Sequence, residues 1–250
     1  MNDASVPPPP PAPPPEPALE PRLPGGGLPA ITWGPAVVFA GLAALLVMVL
    51  IAGGIANAID PEIETLGARL ALQAALAISL IAVAVGAVRM ADGTIAAGEA
   101  LGLRRPLRSP WGPAVVAYVL YIACAIAIAV AIEPEQEDIT RELGFGEGGL
   151  GDVVAGLLII GVAPVSEEIF FRSFFFGGLR SRMPFVAAAV IAAAIWGLFH
   201  YTGPDSWGVV LQLSVFGVVL SWLYERTGSI WPPIAVHAVN NAIAFSILTS

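Results

Sequence analysis

The only two histidines of the chain, His200 and His237, lie in apolar sequence downstream of the adjacent carboxylates Glu167 and Glu168. Arg172 follows the acids at helical spacing, and Asn241 follows His237 in the same way. Titratable groups in such surroundings are costly to keep and mark a functional site by default. As a set, two carboxylates, two imidazoles, a guanidinium and an amide make a candidate catalytic apparatus. The single cysteine, Cys124, sits in the run Tyr121-Ile122-Ala123-Cys124-Ala125-Ile126, where a small packing residue is expected rather than a nucleophile.

Helical geometry gives the first motif, Ser166-Glu167-Glu168-Ile169-Phe170-Phe171-Arg172, a division of labour. Glu168 and Arg172 stand at i and i+4 with the acid N-terminal, the favourable order for an ion pair on one face. Glu167 points about 100° away and is free to face a cavity. A purely structural reading also exists, in which both acids and the arginine form one charge-neutralising cluster near a helix end. The second motif, Trp196-Gly197-Leu198-Phe199-His200, closes an alanine-rich stretch; taken alone, His200 is equally an interfacial residue beside Tyr201 in an aromatic belt. The third, His237-Ala238-Val239-Asn240-Asn241, puts His237 and Asn241 on one face with Asn240 close to it. Interhelical polar bonding is its structural alternative. Gly228, Pro232 and Pro233 precede it as the end of one helix and the first turn of the next.

The elements that must carry these motifs follow from composition. Hydrophobic residues make up 57% of 250 residues and charged residues 12%, with a mean hydropathy of +0.81, against roughly 25% charged in a soluble domain. The expectation is an all-α, polytopic transmembrane helix bundle of about seven to eight helices. Apolar stretches fall at about 33–58, 66–88, 111–132, 150–180, 184–201, 207–224 and 231–249. The net charge of −8 is distributed by loop. Asp60, Glu62 and Glu64 share one loop, and Glu133, Glu135, Glu137, Asp138, Glu142 and Glu147 another, while Arg89, Arg104, Arg105 and Arg108 share the loop between them. Arg180, Arg182 and Arg226 fall on the same side as the arginine-rich loop, which the positive-inside rule makes cytoplasmic together with the N-terminus.

Residues 1–31 are expected to be a disordered, proline-rich cytoplasmic tail and residues 32–250 a transmembrane domain with its motif core at 150–249. The tail contains the run Pro7 to Pro11 and closes on Gly25-Gly26-Gly27, a composition that favours polyproline II and cannot bury a core. It lacks the features of a secretory signal peptide, so the first membrane helix is expected to be an uncleaved anchor. No internal repeat relates the two halves, which weighs against the inverted-repeat transporters. Nothing in the charge balance points to nucleic acid.

Over residues 150 to 249 the chain resembles the CPBP intramembrane proteases, the family that includes the eukaryotic CAAX prenyl endopeptidase and the bacterial Abi proteins. The family pattern of Glu-Glu-x-x-x-Arg, Phe-x-x-x-His and His-x-x-x-Asn matches at Glu167, Glu168 and Arg172, at His200, and at His237 and Asn241. Trp196 stands in the phenylalanine position, and Leu101-Gly102-Leu103-Arg104-Arg105 resembles a less diagnostic upstream loop of the family. The resemblance implies hydrolysis of peptide bonds. Glu167 would activate a water and His200 would help to position or deprotonate it, with His237 and Asn241 stabilising the oxyanion and Glu168 and Arg172 in support. A serine or cysteine nucleophile is not needed for direct attack by water.

No cofactor is required by this mechanism, although Glu167, His200 and His237 offer the ligands of a divalent metal such as zinc. The expected partners are a peptide or membrane-protein substrate and the lipid bilayer, and the expected location is a bacterial inner membrane. Two other classes remain open from sequence: a non-catalytic peptide-binding or bacteriocin-immunity protein, and a proton-coupled transporter using the same ionisable groups. One geometric condition attaches to a single site. Counted from helix ends, His200 lies near the outer face, His237 near the inner face and Glu167 midway, so a kink or unwound turn is expected at Pro164.

Overall fold

The computed structural model describes residues 27–29, 31–61, 65–132 and 150–248, and within them the chain is helical with no strand. The segments expected as a tail at 1–26 and the acidic residues Glu62, Glu64 and Glu133 to Glu147 lie outside the described residues. The helices are α1 (Pro35–Ile59), α2 (Leu66–Ala91), the single turn α3 (Ala97–Ala100), α4 (Trp111–Ile132), α5 (Leu150–Arg180), α6 (Phe185–Leu198), α7 (Trp207–Thr227) and α8 (Trp231–Leu248). α1, α2, α4, α5 and α7 are long and apolar enough to cross a membrane. α6 is shorter, at 14 residues, and α8 is a continuous helix whose apolar sequence includes the polar His237, Asn240 and Asn241. This is a multi-pass membrane protein.

Local sequence explains the ends. Pro35 opens α1, where its missing N–H costs nothing. Thr65 caps α2 by accepting from Ala68 N–H. α7 stops at Gly228, which adopts a left-handed φ of 65° and donates its N–H to Tyr224 O, a conformation that disfavours a side chain. A Cβ there would also collide with the Gly27 carbonyl.

α1 and α4 expose apolar side chains around much of their circumference, such as Leu50, Ile59, Val116 and Val130, as lipid-facing helices do. Cys124, expected as a packing residue, is exposed on α4; the adjacent α4 position that packs inward is Tyr121, stacked on Phe216 at 4.3 Å. The core is built on α5, where Phe170, Phe171, Phe174, Phe175 and Phe176 are all buried. α6 and α7 approach closely through small residues, with Ala188, Ala189, Ala192, Ala193 and Gly197 buried on one side and Gly217 on the other.

One end of the bundle gathers the arginine-bearing turns. Arg180 at the end of α5 makes a two-point contact with Glu225 of α7, at 2.9 and 3.1 Å. Arg104 donates from Nε to Gly228 O at 2.8 Å and from Nη2 to Gly27 O. Gly27 N–H donates to Glu225 O, Leu107 N–H to Thr227 O and Ile230 N–H to Gly102 O. Leu28 and Trp33 are 3% and 2% exposed, so these residues pack against the helical body. The α7–α8 turn, Thr227 to Ile230, is consequently buried beneath residues 27–28 and the loop after α3.

The α6–α7 contact yields a stability test. A Cβ at Gly217 would lie 2.8 Å from the Cβ of Ala193 and 3.1 Å from the Trp196 ring. Gly217→Val is expected to destabilise by about 1–3 kcal/mol through overpacking, read as a lower unfolding midpoint in detergent, whereas Gly53→Val, with open space around it, is expected to leave the midpoint unchanged.

Candidate active site

α5 positions both acids, and it is not a regular helix. Its turns widen twice, at Leu158–Val162 and again at Glu168–Phe176, with a five-residue α-helical piece, Ala163–Glu167, between them. Such wide turns are rare and frequent at functional sites. Pro164, where a kink or unwound turn is expected from sequence, lies in the α-helical piece itself, with the widened turns on either side of it and the helix continuous.

Glu168 is fully buried, and its Oε1 faces two cations or potential cations at once. Arg172 Nη1 is 3.1 Å away and His237 Nδ1 is 2.8 Å away. The i,i+4 pair therefore forms as its spacing predicts, and α8 joins it through His237. Arg172 and His237 are themselves buried, so all three side chains are shielded from bulk solvent.

Trp196 of α6 is the hub of the remaining contacts. Its indole N–H donates to Glu167 Oε2 at 2.6 Å. The Arg172 guanidinium lies over its ring, 4.0 Å from the centroid, a cation–π contact strengthened by desolvation. The rings of His237 and His200 meet it edge to face at 5.3 and 5.4 Å, and Phe216 of α7 closes against His237 at 5.8 Å. Glu167 itself is only partly buried.

His200 lies in the turn after α6, and its Nδ1 is 3.0 Å from Trp196 O. A carbonyl only accepts, so Nδ1 carries the hydrogen and Nε2 presents a lone pair in the neutral ring. Asn241, one turn beyond His237, donates from Nδ2 to Ile159 O of α5 at 3.0 Å. Asn240 accepts a long contact from Tyr118 of α4, at 3.5 Å.

The structure thus gathers Glu167, Glu168, Arg172, His200 and His237 around Trp196, and it engages Asn241 with a backbone carbonyl beside them. Trp196, which the motif comparison places in the phenylalanine position, is the residue whose role spacing alone does not reveal. The available signal was chemical: a tryptophan buried one turn before a histidine carries an N–H that needs an acceptor, and the nearest spare acceptor in the chain's motifs is Glu167. Among the described residues no three His, Cys, Asp or Glu side chains converge to hold a metal ion; Glu167, His200 and His237 each engage a partner through one atom, Oε2, Nδ1 and Nδ1 respectively.

Residues 149–243 match the family described as type II CAAX prenyl endopeptidase Rce1-like. The chain is similar to the Bacillus subtilis (strain 168) protein named "Putative membrane peptidase YdiL", at 35% identity over 80 residues, which is 32% of this chain and 31% of that one. It is also similar to "Uncharacterized protein YyaK" of the same organism, at 29% identity over 105 residues, 39% of this chain and 34% of that one. The chain spans about a third of the length of these two curated relatives. No solved structure matches it. The matched segment contains α5 to α8 up to Ile243, and with them every residue of the cluster around Trp196.

Removing one partner from a buried ion pair leaves an uncompensated charge. Arg172→Leu is expected to destabilise by about 3–5 kcal/mol, while Arg172→Leu combined with Glu168→Leu is expected to recover part of that loss, both read by thermal unfolding in detergent.

Proposed function

We propose that this protein is an intramembrane endopeptidase that hydrolyses peptide bonds with a water activated by Glu167 and His200. The observation that carries the reading is the Glu167–Trp196 hydrogen bond. It holds one carboxylate oxygen and leaves the other, on a partly buried side chain, for a water. The Rce1-like match over the same helices supports the class of reaction.

In this mechanism Glu167 accepts a proton as the water oxygen bonds to the scissile carbonyl carbon. His200 Nε2, left as an acceptor by the bond from Nδ1 to Trp196 O, orients the water by accepting its second hydrogen. His237, oriented by Glu168 through Nδ1, donates Nε2–H to the oxyanion when its ring is doubly protonated. Two carboxylates then stand against Arg172 and the His237 imidazolium, so the cluster carries no net charge. The proton held by Glu167 passes to the leaving amine as the C–N bond breaks. One preorganised donor to an oxyanion contributes roughly 3–4 kcal/mol, because the site is shielded from water.

The substrate in this reading is a peptide or a membrane protein that enters the bundle from the lipid, and whether it bears a prenyl group is a separate variable of the test. The membrane is proposed to be a bacterial inner membrane with residue 27 on the cytoplasmic side. The gathering of Arg104, Arg180 and the α7–α8 turn at one end of the bundle supports that orientation.

A pool of fluorogenic peptides, prenylated and not, incubated with the full chain in nanodiscs tests the proposal. Cleavage is expected from the wild type and is expected to fall roughly 10²- to 10⁴-fold in Glu167→Gln, the range of a lost general base, at an unchanged unfolding midpoint. Equal cleavage by the two proteins would overturn it. Trp196→Phe keeps the ring against Arg172 and removes the N–H to Glu167; kcat is expected to drop by roughly ten- to hundredfold, the equivalent of about 1.5–3 kcal/mol for a bond to a charged group.

A further inference from the structure

The first widened turn of α5 leaves a carbonyl that the helix cannot satisfy. Ala163 N–H donates to Leu158 O, across five residues rather than four. In that register the next carbonyl, Ile159 O, would accept from residue 164, and residue 164 is proline, which has no N–H to give. Within a membrane every backbone group must find a partner inside the protein. Asn241 supplies it from another helix, with Nδ2 donating to Ile159 O at 3.0 Å. Just beyond that turn, Ser166 Oγ lies 3.1 Å from both Val162 O and Ala163 O, which share its one hydroxyl hydrogen.

We propose that Asn241 is a positioning residue: it supplies the N–H that Pro164 cannot and so holds the wide turn of α5 in the register that aims Glu167 at Trp196. The register matters because a wide turn contains one extra residue. Relaxing it to ordinary α-helical spacing turns everything that follows by about 100° relative to what precedes it. Glu167 comes three residues after Pro164, so it would leave the Trp196 N–H, and Glu168 would leave His237. α8 thereby grips α5 at two points on one face, His237 on Glu168 and Asn241 on Ile159. The kinetic part of this inference rests on the proposed peptidase activity, and its structural part does not.

The expectation from the motif alone is that Asn241 donates to the oxyanion, and the two roles separate in a double-mutant cycle. The full chain in nanodiscs is compared as wild type, Asn241→Ala, Pro164→Ala and the double variant, by unfolding midpoint and by kcat and KM on one peptide from the cleaved pool. Asn241→Ala in the wild-type background is expected to lower the midpoint and to lower kcat roughly tenfold, as for a buried acceptor left unpaired, with KM changed by less than about twofold. In the Pro164→Ala background the N–H restored at position 164 takes Ile159 O, and the same Asn241→Ala change is expected to cost under about threefold in kcat with a smaller shift in midpoint. Pro164→Ser serves the same purpose if Pro164→Ala does not fold. Equal losses from Asn241→Ala in both backgrounds would overturn the proposal and return Asn241 to the oxyanion. If the wild type cleaves nothing, the peptidase reading fails, and the midpoints alone decide the clamp: coupled shifts support it and additive shifts overturn it.

Discussion

Everything in this site depends on burying the Glu168 carboxylate without water. Taking a carboxylate and a guanidinium out of solvent costs several kcal/mol each, and their attraction offsets this only where the geometry is tight and further partners are present. Here Glu168 has Arg172 from its own helix and His237 from α8, while Arg172 spreads its remaining charge over the Trp196 ring. The ion pair is therefore also a joint between α5, α6 and α8. Because Trp196 is fixed beneath Arg172, its N–H has one direction to point, and that direction is occupied by Glu167. The chain of causes runs from the cost of a buried charge to the placement of the group proposed to activate water.

A membrane adds a second constraint, which is that helices must bring residues from different depths to one level. His237 lies only about 9 Å along α8 from Trp231, whereas Trp196 lies about 17 Å along α6 from Phe185. The bundle reconciles these depths by burying the start of α8. The Thr227–Ile230 turn is covered by residues 27–28 and by the loop after α3, with Arg104 bonded to backbone carbonyls on both sides. Non-helical backbone is tolerated at such a depth when protein surrounds it. The arginine-rich loop thus has a structural task, holding the α7–α8 turn through Arg104.

The bundle, the approximate helix spans and the three motifs were legible in the sequence because they depend on local rules: hydropathy over about 20 residues, helical periodicity and the placement of glycine and proline. The Glu168–Arg172 pair was legible for the same reason. What spacing could not reveal was contact between helices. Nothing local says that His237 binds Glu168 rather than substrate, or that the Trp196 N–H seeks Glu167. The inclusion of residue 27 in the packed body was hidden by a proline- and glycine-rich composition that resembles a linker up to Leu28 and Trp33, whose burial depends on surfaces far away in sequence. The wide turns around Pro164 were half visible. Proline announced an irregularity, and only the partner from α8 explains why the helix widens instead of breaking.

The central claim is that Glu167 directs a water onto the peptide carbonyl with no covalent link to the protein. Its most direct test is a single turnover of a cleaved peptide in ¹⁸O-enriched water, quenched in acid during the reaction, with the masses of product and intact protein measured together. The account predicts one ¹⁸O atom in the new carboxylate and a protein of unchanged mass at every time point. A protein mass increased by the acyl portion of the substrate would contradict it, because that result requires a nucleophile on the chain in place of the water held by Glu167.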